Sequence, residues 1–288
     1  MWTALLLPAY LKTILTIVPR TETVLVALAF PAVFVNIIHG QNGFLTASLL
    51  GGALILLNNR PILSGVLVGL LAYKPQFGLL IPVVLLATHC WRTAGAATFT
   101  VLCAYAVSLV AFGSQTWKAF ANSMTFVRVV ALESGNIGWA KIQSLFSAVR
   151  MWGGSIEVAY AAQIALTLAV AGTLVWLWRS KASYDLKAAG LACGCLLATP
   201  YVLDYDLVVL AISIAFFVRH ALARGSHDYE ITILALCWIT PLLARNVADT
   251  TSLPAGFMSM LALYALTLRR AVIDLLSDEP IMPRMVRA

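Results

Sequence analysis

Charge is what this sequence has least of. Asp, Glu, Lys and Arg together make up 11% of its 288 residues, where a soluble domain carries about 25%. With 61% hydrophobic residues and a mean hydropathy of +0.90, that shortage excludes an ordinary water-soluble globule. It predicts an all-α, polytopic integral membrane protein. Acidic residues are scarcer still, 12 against 19 basic ones, for a formal net charge of +7. The excess is not a nucleic-acid footprint, because Lys and Arg fall in short loops between apolar runs, where the positive-inside rule puts them. The sequence also lacks a phosphate-binding glycine loop, a nucleophile elbow and a zinc motif, and no internal repeat or low-complexity tract is present. The five cysteines (Cys90, Cys103, Cys193, Cys195, Cys237) sit mostly within apolar runs and read as small apolar residues. Cys193 and Cys195 have no partners for a zinc site. His89, His220 and His227 read as structural. No leader pattern opens the chain; its first run, "WTALLLPAYLKTILTIV", has no basic stretch before it and reads as an internal span exposed by a late start.

What is present is a series of apolar runs, roughly 2–18, 23–38, 43–57, 61–73, 76–89, 94–112, 157–178, 187–200, 205–219, 230–245 and 253–268. Several are shorter than the ~20 residues of a full span. The runs 61–73 and 76–89 meet at Lys74-Pro75-Gln76. Proline interrupts a helix, and a lysine at a bilayer centre costs roughly 3 kcal/mol on insertion scales. Broken helices with a cation at the break are tolerated where they are buried in protein or line a cavity. The expected architecture is therefore a bundle with several short or broken helices. Residues 1–270 are expected to form a single transmembrane domain, and 271–288 a short cytoplasmic tail.

Placing Arg269 and Arg270 on the cytoplasmic side and alternating backwards puts Arg219, Arg224, Arg179, Lys181, Lys187, Arg92, Arg60 and Arg20 on that side too. Four polar features are then left on the opposite face: "HGQNG" (39–43), "YKPQFG" (73–78), the stretch 113–156, and "TPYVLDYD" (199–206). The stretch 113–156 is the one long segment without a span. Its Trp117, Phe120 and Phe126 among Lys118 and Arg128 suit an extracytoplasmic or interfacial amphipathic segment.

The candidate functional residues come from these four features. Lys74 reads either as a cation snorkelling from a helix end or as one that holds a phosphate, with Gln76 adding a donor and an acceptor. Asp204 and Asp206 are costly near a span unless paired; they read as interfacial caps, as a metal or sugar contact, or as partners for Lys74. Tyr201 and Tyr205 suit an interface or a sugar ring. His39, Gln41 and Asn42 form a polar turn, or a site at which His39 meets a phosphate or carries a proton. Lys141 and Arg150, with Gln143 and Ser144, line an acceptor groove or belong to an amphipathic surface helix. A transferase with an activated donor needs only a base for the acceptor hydroxyl and positive charge for a phosphate leaving group. A transporter or flippase, or a non-catalytic subunit of a glycan assembly complex, also suits broken helices. The transporter reading calls for a symmetric pair of broken segments and polar groups on both faces.

The stretches "PAVFVNIIHGQNGFLTASLLGGALIL", "RPILSGVLVGLLAYKPQFGLLIP" followed by "HCWR", "KIQSLFSAVRMWG" and "ATPYVLDYDL" together resemble glycosyltransferase family 87, over about residues 25 to 215. The resemblance implies a GT-C-like membrane fold and an inverting transfer of a hexose, typically mannose, from a polyprenyl-phosphate donor to a lipid or glycan acceptor. It places the active face outside a bacterial-type inner membrane, with membrane lipids as surroundings. It implies that Lys74 and His39 contact the donor phosphate, and that Gln41, Asn42, Gln76, Tyr201, Tyr205, Lys141 and Arg150 line the sugar and acceptor pocket. No metal ligand set is implied, and a divalent cation is left open. GT-C enzymes carry a catalytic acid in the loop after the first span, whereas here no acidic residue precedes Glu22. The chain is thus expected to be an N-terminally truncated member, inactive alone unless Asp204 or Asp206 substitutes.

Overall fold

The computed structural model describes residues 2–277. Thirteen α-helices run in the order α1 (Trp2–Ile17), α2 (Glu22–Leu28), α3 (Pro31–Ile38), α4 (Gly43–Leu56), α5 (Pro61–Leu70), α6 (Leu80–Ala87), α7 (Trp91–Phe126), α8 (Leu145–Met151), α9 (Ile156–Arg179), α10 (Tyr184–Leu197), α11 (Leu210–Arg224), α12 (Glu230–Thr251) and α13 (Ala255–Leu276). Among the described residues there is no β-strand, and five helical segments are long and apolar enough to cross a membrane. The all-α, multi-pass membrane architecture is therefore as the composition predicts. Of the expected tail 271–288, residues 278–288 lie outside the described residues, and Ala271–Leu276 continue α13.

The helix breaks follow local chemistry. The run 23–38, expected as one segment, is split into α2 and α3. Pro31 has no amide hydrogen to continue α2 and pushes Phe30 out of the helical region, to φ −58° and ψ 120°. Pro75 acts in the same way on Lys74, at φ −127° and ψ 73°, between short 3₁₀ turns Leu71–Tyr73 and Pro75–Gly78. Within α7, Gly113 adopts φ 75° and ψ 169°, a conformation that side-chain-bearing residues avoid. The helix bends back there, so that Trp117 packs edge-on against Tyr105 with ring centroids 4.7 Å apart. Beyond the bend, residues 114–126 are almost wholly exposed.

The centre of the bundle is α10, buried from Ala188 to Leu197 against α9, α11 and α13. Its small residues make this fit. A Cβ on Gly190 would lie 2.8 Å from Leu177, and one on Gly194 2.8 Å from Leu174. Close backbone approach through small residues is how helices associate in lipid, where apolar burial gives little drive. The same device joins α5 to α7. A Cβ on Gly65 would sit 2.4 Å from the Thr93 carbonyl and 2.6 Å from Ala96. Gly65→Ala should therefore push α5 off α7 and destabilise the fold by about 1–3 kcal/mol, the usual range for overpacking. A lower thermal midpoint in detergent would show it; an unchanged midpoint would mean that the two helices separate freely.

The two ends of the bundle differ sharply. At the end where α4, α11 and α13 finish and α10 starts, charges are paired. Arg270 contacts both Glu230 oxygens at 2.9 and 3.1 Å and Asp274 at 2.8 Å. His220 lies between Asp274 (2.8 Å) and Ser183 (2.9 Å). Arg219 pairs with Asp185, and the Tyr184 hydroxyl donates to the Leu54 carbonyl. The other end carries the polar loops singled out in the sequence.

Candidate active site

Three breaks in the helical pattern meet at that second end. The first is the turn from α3 to α4. Asn36, buried in α3, accepts a hydrogen bond from the Gly43 amide through Oδ1 at 3.0 Å. Gly40 takes φ +60° to close the turn. Gly43 must be glycine, because a Cβ there would stand 2.7 Å from both Asn36 Oδ1 and Val208, and 3.0 Å from the Tyr205 carbonyl. His39 is held by a 2.8 Å contact from Nδ1 to the Val35 carbonyl, with its ring 5.8 Å from that of Tyr205.

The second break holds Lys74. Its Nζ donates to Asp206 Oδ1 at 2.6 Å and lies 5.1 Å from the Tyr205 ring centroid and 5.6 Å from that of Phe77. The preceding Tyr73 hydroxyl meets Thr46 at 2.5 Å and the Asn42 carbonyl at 3.3 Å. The Lys74 side chain is 12% exposed and that of Asp206 2%. An ion pair this dry needs further hydrogen bonds to hold it, and Asp206 has one: its Oδ2 accepts from the Leu203 amide at 3.1 Å.

The third break is the segment from Thr199 to the 3₁₀ turn Asp204–Val209. It is tied to the loop before α8 by the 2.7 Å bond from the Gln143 amide to the Val202 carbonyl and by an antiparallel bridge between Ile142 and Leu203. Asp204 and Asp206 diverge. Asp206 faces Lys74, whereas Asp204 accepts from the Tyr205 amide at 2.9 Å and lies 3.9 Å from Arg245 of α12. Burial, and then the charge on Asp206, push the Tyr201 phenol above its usual range.

Lys74, His39, Asn42, Tyr205 and Asp206 are thus brought together from three separated stretches. Gln41 and Gln76 are half-buried, and their side-chain amides have no hydrogen-bond partner among the described residues. Lys141 lies on the 3₁₀ turn Trp139–Lys141, one residue before the Ile142–Leu203 bridge. Arg150 does not join the Lys74 cluster. Its guanidinium stacks 4.9 Å above Trp139 and donates to the Gly154 and Glu133 carbonyls at 2.7 and 3.3 Å. Ser144 caps α8 by accepting from the Ser147 amide, and Gln143 is buried against Gly256.

Two groups at this end carried no sequence-level claim. Glu133 accepts from the Tyr160 hydroxyl at 2.9 Å and lies 3.5 Å from Arg128. Arg245 is a cation at the edge of an apolar run, which is a usable signal; Glu133, in a long polar segment, has none. No three His, Cys, Asp or Glu side chains converge among the described residues as a metal site would require.

No curated protein and no solved structure matches this chain. A family model does: glycosyltransferase family 87 matches residues 1–200. That is more than two-thirds of the 288 residues, and it takes in the His39 turn and the Lys74 break. The chain belongs to glycosyltransferase family 87 and is, by that membership, a membrane glycosyltransferase.

Proposed function

We propose that the chain transfers a hexose, with mannose the first choice, from a polyprenyl-phosphate carrier to a lipid or glycan acceptor. The observation that carries this is the Lys74 ammonium, set at a helix break among the faces of Tyr205 and Phe77 and paired with Asp206. When the bond between the sugar C1 and the phosphate oxygen breaks, negative charge grows on the departing phosphate. A preorganised cation in a dry site stabilises that charge strongly. A phosphate oxygen replaces the Asp206 carboxylate as the partner of Lys74, with a charge-assisted bond of the same kind. Asp206, released, takes the proton of the acceptor hydroxyl as that oxygen attacks C1 from the opposite face; Asp204 is the alternative base. His39 stands beside Tyr205 as a second phosphate contact, and Gln41, Asn42, Gln76 and Tyr201 offer donors and acceptors to sugar hydroxyls. Lys141 and Arg150 lie on the side of α8, towards the acceptor.

The remaining parts of the reading rest on sidedness. The paired arginines at the other end suit a cytoplasmic face, which makes this end extracytoplasmic in an inner-membrane setting. Residues 1–270 are read as one transmembrane domain, with 113–156 on the active face and 271–288 as a cytoplasmic tail. The test is transfer in membranes containing this chain, supplied with radiolabelled polyprenyl-phosphate mannose or with a nucleotide sugar. Label should enter a lipid or glycan product from the polyprenyl donor only. Transfer from the nucleotide sugar alone would overturn the donor assignment.

A further inference from the structure

Two adjoining apolar hollows lie away from Lys74, near the arginine-rich end. One cavity of about 270 Å³ runs between α1, α2, α11 and α12, from Arg20 and Glu22 inwards to Tyr10 and Phe30. A second, of about 340 Å³, runs between α11 and α12 and ends near Ser226. The two share Ile214, Val218, Leu222 and Trp238 as a common wall. Trp238 is fixed as the partition: its Nε1 donates to the Val26 carbonyl at 3.3 Å, and its ring packs 6.2 Å from that of Phe30. Two adjoining apolar hollows divided by one side-chain wall offer a place for each of two hydrocarbon chains.

The rim matches in charge. Arg20 and Glu22 are exposed at the mouth of the first channel, and neither forms an ion pair among the described residues. An arginine fork suits a phosphate, and a carboxylate two residues away suits a primary ammonium. We infer that this twin groove binds one two-chain aminophospholipid, with its chains on either side of Trp238, its phosphate on Arg20 and its amine on Glu22. The site is independent of the sugar-transfer reading, because none of the residues around Lys74 lines it.

Native mass spectrometry of the full chain, purified in mild detergent and then offered defined lipids, tests this. The unmodified chain should retain one phosphatidylethanolamine in preference to phosphatidylglycerol and phosphatidylcholine. Arg20→Ala should weaken retention of all three phospholipids, by about tenfold for a lost charge-assisted contact. Glu22→Gln should erase the preference for the amine headgroup. Both residues are exposed, so neither change threatens folding. Val26→Trp, at an exposed position on the lining of the first channel, should block the bound lipid while leaving the thermal midpoint of the lipid-free chain in place. Equal retention of all three headgroups, unaltered by Arg20→Ala and Glu22→Gln, overturns the assignment, as does recovery of a polyprenyl lipid from the groove.

Discussion

Lys74→Ala should abolish sugar transfer, lowering kcat/KM by about 10²–10³-fold, the effect expected when a preorganised group facing developing charge is removed. The substitution also strands Asp206, whose side chain is 2% exposed. Removing one partner of a buried pair costs about 3–5 kcal/mol in stability, so the single variant confounds chemistry with folding. The double variant Lys74→Met/Asp206→Leu separates them: replacing both charges with apolar groups of similar volume is close to neutral for stability. Yield and thermal midpoint should return, and transfer should not, because the pair supplies both the cation for the phosphate and the proposed base; the double variant tests the pair, and Lys74→Arg tests the lysine by itself. Lys74→Arg keeps the charge but substitutes a planar fork for a compact ammonium between two aromatic rings, so partial activity with a raised KM for the donor is expected. A Lys74→Ala chain that transfers at the normal rate would remove Lys74 from the phosphate site, whatever its stability.

The second large effect lies at the other end of the bundle and should be one of stability alone. Arg270 and Glu230 have side chains 2% and 0% exposed, and Arg270 also holds Asp274 and the Gly225 carbonyl. Arg270→Ala leaves two carboxylates in a dry site, at a cost of about 3–5 kcal/mol. For a domain of this size, that lowers the thermal midpoint by about 10 °C. Arg270→Met/Glu230→Leu should recover much of the loss. Transfer per folded molecule should stay unchanged in both, because this cluster joins α11, α12 and α13 far from Lys74. A variant with a normal midpoint and lost transfer would show that the two ends are coupled.

Much of the fold was legible in linear order. Apolar runs such as 43–57, 157–178 and 230–245 become α4, α9 and α12 within a few residues, since the length and hydropathy of a span are local properties. The split at Pro31 was missed because the apolar pattern carries straight through it; the missing amide hydrogen matters more than hydropathy there. Gly113, at the edge of the long non-spanning stretch, does mark a bend. The residues of the candidate site were legible as types, since a Lys in a Pro break and two carboxylates beside a span are costly in lipid wherever they fall. Their pairing with Lys74 was legible only as one alternative among several. The spacing of Asp204 and Asp206 left open whether they act together, and a 3₁₀ turn sends one to Lys74 and the other towards Arg245.

The sequence by itself determined the membrane class, most of the helical order, the break at Pro75, and the family, because composition, proline chemistry and motif order are carried by neighbouring residues. Only the tertiary structure decided that Lys74 meets Asp206 across 132 positions, that Arg150 is held by backbone carbonyls, and that Trp238 divides two apolar channels. Each of those depends on which helices pack together. That is set by small residues such as Gly65 and Gly190, whose part is visible only once the facing helix is in place.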